Sequence, residues 1–475
     1  MAKFCRLVKN EYIKVFTKVS TLVLLILVVL FSLGFTSIMK IGEVISEKNY
    51  NSYYSSLSTD EMLDNYRSNI EYLKQEQAEG YEAEVAYYEF LIDQKIRYED
   101  WRDRYVHSTM QEKWSIEQRM QAGEFDEATY NKRLKDCENQ LQMLKDNNWK
   151  GYYTLLVNSY QSNSSLTAAE REANIFRYQY ALDHDLDPSK NDWRDDLAAE
   201  IAGTKQQLLN YGDDGQLSAE DLEAKNKLQE SLLLMEYRLE HNLESVPKLA
   251  SLNSLNTIDF WSVLGISTFL IGVVSMVIII IAGGSIANEF SNGTIKFLLI
   301  NPVSRWKIFL SKYTMILTLS VLLVLGFLFT NVLFTGLMFG FGNILNPYLY
   351  VVDGAVHELP GMLFLLWQYL IGSVNLLVMG TLAFAISSLM RNSAVAIGIS
   401  VFLMLGGNAV VSFLGALGMD WARFFIFANT DLNAVMTGTS IFQEMTVGFS
   451  LTVIAVHMVV LFLTAWDGFM RRESI

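Results

Sequence analysis

The sequence predicts an all-α polytopic membrane protein with six transmembrane helices and a large helical extracytoplasmic domain between helices 1 and 2. Two observations predict this fold class: long uncharged stretches, and a strong segregation of charge. The chain has 475 residues, of which 51% are hydrophobic. From Gly42 to Thr257 it carries 41 acidic and 23 basic side chains, whereas the other 259 residues carry 10 and 14. A soluble enzyme is excluded, and a block at net −18 argues against nucleic-acid binding, because phosphate contacts need clustered bases.

Six uncharged stretches are long enough to cross a bilayer, whose core needs about 20 apolar residues. They are 19–39, 260–288, 313–352, 359–390, 392–419 and 445–466. Glycines and Pro347 crowd the end of the third stretch, so we expect one helix followed by a loop. The first could be a secretory signal, but its apolar core is too long and no cleavage site of small residues follows. We therefore predict an uncleaved transmembrane helix over 19–41.

The basic residues predict the orientation. With the amino terminus inside, the outer side receives Lys40 and Arg423, and the inner side receives 12 of the 14 bases outside the acidic block. Those 12 are Lys3, Arg6, Lys9, Lys14, Lys18, Lys296, Arg305, Lys307, Lys312, Arg391, Arg471 and Arg472. This distribution follows the positive-inside rule. It predicts that both termini are cytoplasmic and that the acidic block lies outside.

The acidic block, residues 42–257, is predicted to be helical. Capping signals pair Ser58 with Glu61, Thr167 with Glu170, Ser189 with Asp192 and Ser218 with Asp221. Apolar residues recur at helical spacing, which favours antiparallel helix packing with the aromatic residues in the core. A peptide- or lipid-contacting aromatic surface is the alternative. Cys5 and Cys137 fall on opposite sides of the membrane and cannot pair; a large outer domain with one thiol indicates a bacterial cell surface.

Catalytic and metal motifs are missing from the sequence. There is no phosphate-binding GxxxxGK[ST] loop, HExxH or CxxC. Asp183, Asp185 and Asp187 begin like a calcium loop, but Pro188 and Arg194 occupy positions that need glycine and a bidentate acid. We expect no catalytic residue, no metal and no cofactor on this chain, which is therefore not predicted to be an enzyme.

The predicted spans contain few polar candidates for a transport pathway. They are Asn331, Gln368, Asn375, Asn408 and His457. Ion-coupled carriers usually keep ionisable side chains at mid-membrane, so the near absence of such groups disfavours a carrier of that kind. A lone histidine in a span is more commonly a hydrogen-bonded helix contact.

The segment between the second and third spans carries the most informative motif. The second helix exits with Glu289, the chain breaks at Asn292 and Gly293 and again at Asn301 and Pro302, and it re-enters after basic residues. A short helix at the membrane surface fits this pattern. The spacing E-x3-GT-x7-P-x2-R-x6-K resembles the first cytoplasmic loop of ABC-2-type transporter permeases, the membrane subunits of bacterial ABC exporters.

The resemblance extends to other parts of the chain. The basic amphipathic residues 1–18 look like that family's elbow helix, and 420–444 look like its external hairpin. The resemblance implies that loop 289–312 couples to the ATPase. Its coupling residues would be Glu289, Gly293, Thr294, Lys296, Phe297, Leu298, Pro302, Arg305 and Lys312. The long block 42–257 departs from simple members of the family.

The function implied is the permease subunit of an ATP-driven exporter in the bacterial cytoplasmic membrane. Its partners would be an ABC ATPase dimer, which would hold the ATP and Mg, and a second permease copy or paralogue. The acidic, tyrosine-rich outer block favours an amphipathic or cationic peptide or a lipid-like substrate. The alternatives are a sodium or small-molecule exporter of the same family and a membrane-anchored sensor.

Overall fold

The computed structural model describes residues 2–51, 57–98, 100–211, 217–248, 258–294, 304–390, 392–436, 438, 440–442 and 445–471. Side chains of residues 2, 3 and 46–51 are not included. The chain divides into two compact units. The membrane unit comprises Met1–Glu43, Ser245–Leu349 and Glu358–Ile475, and the acidic unit comprises Val44–Glu244 and Tyr350–His357.

Helices account for nearly all of the regular structure. The first ten are α1 (Ala2–Phe16), α2 (Val19–Asn51), α3 (Thr59–Glu76), α4 (Tyr81–Gln94), α5 (Arg102–Gln121), α6 (Glu127–Lys145), α7 (Trp149–Ser162), α8 (Ala168–Asp183), α9 (Trp193–Leu209) and α10 (Ala219–Glu240). They are followed by α11 (Phe260–Ser267), α12 (Ile271–Ser291), α13 (Arg305–Phe339), α14 (Gly361–Leu389), α15 (Ser393–Ala416), α16 (Ile426–Asn429), α17 (Leu432–Met436) and α18 (Val447–Met470).

Six helical segments of the described chain are long and apolar enough to cross a membrane, by length and composition. They are Val19–Ile45, Phe260–Ser291, Arg305–Phe339, Gly361–Leu389, Ser393–Ala416 and Val447–Met470. The prediction of six apolar spans is confirmed. The helix of the first span runs on to Asn51, past the expected end at 41, because polar residues after the apolar stretch continue the helix. The elbow predicted over 1–18 forms α1, and a turn at Thr17 and Lys18 separates it from α2.

The core of the membrane unit is built around α12, α13 and α14. In the central apolar stretch of Phe260–Ser291, 67% of residues are buried, against 17% for the first, fifth and sixth spans. Gly380 of α14 permits this close packing, since a Cβ there would lie 3.2 Å from Ile316 and 3.3 Å from Ile278. The inner spans are therefore covered by protein, while α2, α15 and α18 expose apolar faces suited to lipid.

A small β-hairpin corrects the expectation of a loop after the third span. Strands β1 (Tyr348–Val352) and β2 (Ala355–Leu359) pair across a two-residue turn. The turn residues Asp353 and Gly354 have φ angles of 51° and 77°. An Asp-Gly pair between alternating residues is a strong hairpin signal, because both positions tolerate positive φ. The all-α prediction passed over that signal.

The acidic unit is a set of amphipathic helices, as predicted. Ser58 and Thr167 form capping boxes with Glu61 and Glu170, and Ser218 caps α10. The cap expected from Ser189 is wrong: Asp192 itself caps α9, because residues 188–190 form a 3-10 turn. Aromatic residues fill the main core of this unit, as the first interpretation expected; its largest fully buried side chains include Tyr66, Tyr152 and Tyr153.

The stretch predicted as an external hairpin, 420–444, contains a 3-10 turn at Asp420–Phe424 and the short helices α16 and α17. It packs within the membrane unit through Ile426, Leu432 and Phe442. Residues 437, 439, 443 and 444 lie outside the described part of the chain. Its placement on the outer side stays a prediction.

Candidate functional site: a buried ion-pair network

Three helices of the membrane unit bring four charged side chains together. Glu289 lies in the last turn of α12, and Lys312 lies in the second turn of α13. Glu11 and Lys14 lie three residues apart on α1, so they share one face of that helix. We call Glu11, Lys14, Glu289 and Lys312 the ion-pair network.

The contacts within the network are direct. Lys312 Nζ donates to Glu11 Oε2 at 2.8 Å and to Glu289 Oε1 at 3.3 Å. Lys14 Nζ donates to the same oxygen of Glu289 at 3.1 Å and lies 3.5 Å from Glu11 Oε1. Each carboxylate is therefore shared by two ammonium groups. The two positive and two negative charges balance within the network.

Burial makes the network energetically consequential. The side chain of Lys312 is 2% exposed, and those of Glu11 and Glu289 are 10% and 13% exposed. Removing one partner of such a pair leaves an uncompensated buried charge, which typically costs about 3 to 5 kcal/mol. Lys14 is nearly half exposed; its partial burial alone would lower its pKa, but the charges of Glu11 and Glu289 outweigh that effect and raise it.

The network holds the start of the predicted coupling loop. The Thr294 hydroxyl donates to Glu289 Oε2. Gly293 follows the end of α12 with a φ angle of 70°. This left-handed conformation is common just after a helix end, and residues other than glycine adopt it less readily. Arg305 is the first residue of α13, after Ser304 at the N-cap position. Lys296, Phe297, Leu298 and Pro302 lie outside the described residues.

The sequence motif identified two of the four members of the network. It placed Lys312 just before the third span, as an inner-surface base; in the structure α13 begins at Arg305 and Lys312 is buried within it. Glu11 and Lys14 were missed as site residues. A signal was present for Glu11, because it is the only acid among the first 42 residues, in a segment that is otherwise basic.

The five polar candidates within the spans do not form one site. Among the residues that the structure describes, no hydrogen bond joins any two of them. Asn331 is buried and accepts from Ser32 of α2 at 3.0 Å, which ties the first span to the third. His457 Nδ1 contacts the Val453 carbonyl at 2.8 Å, within its own helix. Gln368 is buried, and Asn408 is exposed.

Asn375 differs from the other intramembrane candidates. Its Oδ1 is buried without a hydrogen-bond partner among the described residues.

No cluster of His, Cys, Asp or Glu in the described ranges could hold a metal ion. The three aspartates of the rejected calcium loop make local contacts instead. Asp183 accepts a hydrogen bond from Gln179, and Asp185 pairs with Lys150. Asp187 caps the 3-10 turn that follows it. Cys5 is exposed and Cys137 is buried, and both are free thiols.

The fold and the apolar helices define a polytopic membrane protein. Residues 231–475, just over half of the chain, match the family described as "Protein of unknown function (DUF2705)", and the chain belongs to this family. The match contains Glu289 and Lys312 and starts near the end of the acidic unit.

Two relatives come from Bacillus subtilis (strain 168). "Uncharacterized protein YhcI" is 35% identical over 287 residues, which cover 60% of this chain and 85% of the relative. "Uncharacterized membrane protein YdbK" is 32% identical over 198 residues, which cover 41% of this chain and 75% of the relative. The first alignment leaves more of this chain uncovered than of YhcI, so this chain carries sequence without a counterpart in that alignment.

Proposed function

We propose that this chain is the permease subunit of an ATP-driven exporter, working with a separate ABC ATPase that supplies ATP hydrolysis. The observation that carries the proposal is the ion-pair network. It joins α1 to both helices that flank loop 289–312, the segment whose spacing resembles a coupling loop of ABC-2-type permeases. A displacement of that loop would therefore act on three helices together.

The physical basis is that paired charges link the three helices directly. Glu289 is in the last turn of α12 and Lys312 is near the start of α13, one on each side of the loop. They bond to each other and to α1. The α12 and α13 helices then continue into the buried core of the membrane unit. ATP-driven closure of the ATPase pair would push the loop, and the network would pass that motion to the helix bundle.

The same proposal places both termini in the cytoplasm and the acidic unit outside the bacterial cytoplasmic membrane. The distribution of basic residues supports this orientation. It also assigns an amphipathic or cationic peptide, or a lipid-like molecule, as the exported class, because the acidic block carries a net charge of −18 and would attract cations. Protease added to intact cells should cleave within the acidic unit; complete protection would contradict the outer placement.

The experiment for the permease role starts from the tagged full chain in its native host. Purification in mild detergent should recover an ABC ATPase, and ATP hydrolysis by the reconstituted complex should depend on this chain. Glu289→Gln and Arg305→Ala should lower transport-coupled hydrolysis by at least about fivefold, the size of a typical coupling free energy. Lys307→Ala, two residues further along α13, is the matched control for Arg305.

The variants also separate coupling from folding. Arg305→Ala lies outside the ion-pair network, so its assembly with the ATPase and its membrane insertion should persist while coupling falls. Recovery of no ATPase, or full coupled activity in both variants, would contradict the proposal. A cationic-peptide resistance assay beside a sodium-tolerance assay, in cells with and without the chain, decides between the substrate classes.

A further inference from the structure

A cavity of about 150 Å³ lies beside the ion-pair network, within the membrane unit. It is bounded by the junction of α1 and α2, the end of α12 and the beginning of α15. Its wall has an apolar part and a polar part. Leu24, Ile281 and Ile397 form an apolar part, and Lys14, Lys18, Ser285 and Asn288 contribute to a polar part.

The polar part contains groups that the protein itself leaves unused. Ser285 Oγ is buried and has no hydrogen-bond partner among the described residues. Such a group typically costs about 1 to 3 kcal/mol when nothing satisfies it. Lys18 is exposed, and in the described part of the chain no carboxylate lies within ion-pair distance of it. A hydroxyl and an ammonium group are therefore available to a ligand.

A groove of about 660 Å³ along α1 adjoins the cavity, and we call this groove the mouth. Both spaces share Glu11, Lys14, Lys18, Asn288 and Glu289. The two glutamates are already engaged by Lys312 and Lys14. Lys18 therefore gives the mouth an excess of positive charge, which favours an anion.

The position of the mouth indicates where that anion comes from. Lys18 directly precedes Val19, the first residue of the first apolar span. A basic residue at the end of a span lies at the level of the lipid headgroups. The apolar wall formed by Leu24, Ile281 and Ile397 belongs to spans and continues toward the bilayer interior.

We propose that this cavity and its mouth bind one anionic phospholipid. Lys18 and Lys14 contact the phosphate, Ser285 and Asn288 donate hydrogen bonds to its oxygens or to the glycerol, and an acyl chain lies along Leu24, Ile281 and Ile397. A free phosphate shares the headgroup chemistry but gains nothing from the apolar wall. The lipid site does not depend on ATP or on which leaflet faces the cytoplasm.

The test uses the purified full chain and native mass spectrometry. Phosphatidylglycerol, phosphatidylcholine and glycerol 3-phosphate are the three probes, titrated separately. The wild-type chain should bind one phosphatidylglycerol more tightly than phosphatidylcholine. Lys18→Glu should weaken that binding by about tenfold, because it replaces an attraction with a repulsion near the phosphate.

Two further variants distinguish a specific binding site from non-specific electrostatic attraction to the protein surface. Lys9→Glu makes the same charge change at an exposed position of α1 that does not line the cavity, so binding should stay within about twofold. Ser285→Val removes the unused hydroxyl and narrows the cavity without changing the charge, and it should also weaken binding. Thermal unfolding in detergent without added lipid verifies that each variant is folded.

The outcomes are distinct. Equal losses in Lys18→Glu and Lys9→Glu would show non-specific surface attraction and overturn the proposal. If glycerol 3-phosphate binds as tightly as phosphatidylglycerol, the cavity is a site for a soluble phosphate and the lipid proposal is wrong. If Ser285→Val keeps full affinity for phosphatidylglycerol, the cavity is not part of the lipid-binding site. The expected pattern could be obtained even if no ATPase partner exists, so this inference and the proposed function fail separately.

Discussion

The two units of the chain use buried ion pairs in different ways. In the acidic unit, Arg177 of α8 binds Asp195 of α9 with two parallel hydrogen bonds, of 3.1 and 2.6 Å. These residues are 18 positions apart, and Asp195 is 6% exposed. In the membrane unit, Lys312 bonds to Glu11 across 301 positions and to Glu289 across 23.

The difference teaches what each arrangement is suited to do. An arginine that binds one carboxylate through two parallel hydrogen bonds has a fixed, planar geometry. It therefore holds the consecutive helices α8 and α9 in one orientation. Lysine is a compact charge with rotatable donors on a flexible stem. Lys312 and Lys14 share Glu289 Oε1, so the network can exchange partners while its charges stay paired. The first suits a rigid domain, and the second suits helices that move against each other.

The largest expected effect comes from breaking the membrane network. Lys312→Met leaves two buried carboxylates with Lys14 as their remaining partner and should destabilise the chain by about 3 to 5 kcal/mol. Thermal unfolding of the detergent-purified chain, followed by intrinsic fluorescence, measures the loss. Lys307→Met on the same helix is the control and should change stability by about 0.5 kcal/mol or less.

A second variant sharpens the test on Lys312. Combining Glu11→Gln with Lys312→Met removes one of the two stranded charges, so part of the lost stability should return, since apolar or neutral replacement of a whole buried pair is often tolerated. A double variant no more stable than Lys312→Met would show that the charges do not interact as the distances indicate.

A smaller effect is expected in the acidic unit. Asp195→Asn keeps the volume but removes the charge opposite Arg177, which should cost about 2 kcal/mol, within the range for hydrogen bonds to charged groups. Hydrogen exchange of the full chain should then become faster in α8 and α9 and stay unchanged in α12 and α13. The exposed neighbour Asp196→Asn is the control. Equal acceleration in both units would contradict the separation into two units.

The smallest effect concerns pH. Asp103 accepts from the Tyr87 hydroxyl at 2.5 Å, and burial raises the pKa of Asp103 above its usual value. The folded state therefore holds the proton more tightly than the unfolded state. This contribution is complete below the ordinary carboxyl pKa and is lost as pH rises through the raised value.

Asp103→Asn should remove that dependence and change stability by about 0.5 to 1 kcal/mol. The measurement is the difference between wild-type and variant unfolding midpoints, followed upward from pH 3. Asp136→Asn, an exposed substitution of the same kind, is the control for the general effect of removing a carboxylate. A flat difference curve for Asp103→Asn would show that its carboxyl titrates alike in both states.

Much of the architecture was predictable because it depends on local pattern. The six apolar stretches, the elbow at 1–18 and the caps at Ser58, Thr167 and Ser218 all follow from residues close together in sequence. The hairpin at Asp353 and Gly354 had an equally local signal, which the all-α interpretation overrode. Glu289 and Lys312 were singled out only because their motif resembles the loop of a known family, without any indication that they touch.

The sequence by itself determined that this is a membrane protein with a separate, acidic helical unit. Apolar length and charge segregation are sufficient for that, since a helix needs about 20 mostly apolar residues to cross the bilayer core. Only the tertiary structure decided which spans lie inside, because all six are similarly apolar while their buried fractions range from 17% to 67%. It also decided that Glu11 meets Lys312, since a buried lysine is stable only where packing brings a carboxylate to it, and no local pattern encodes a contact across 301 residues.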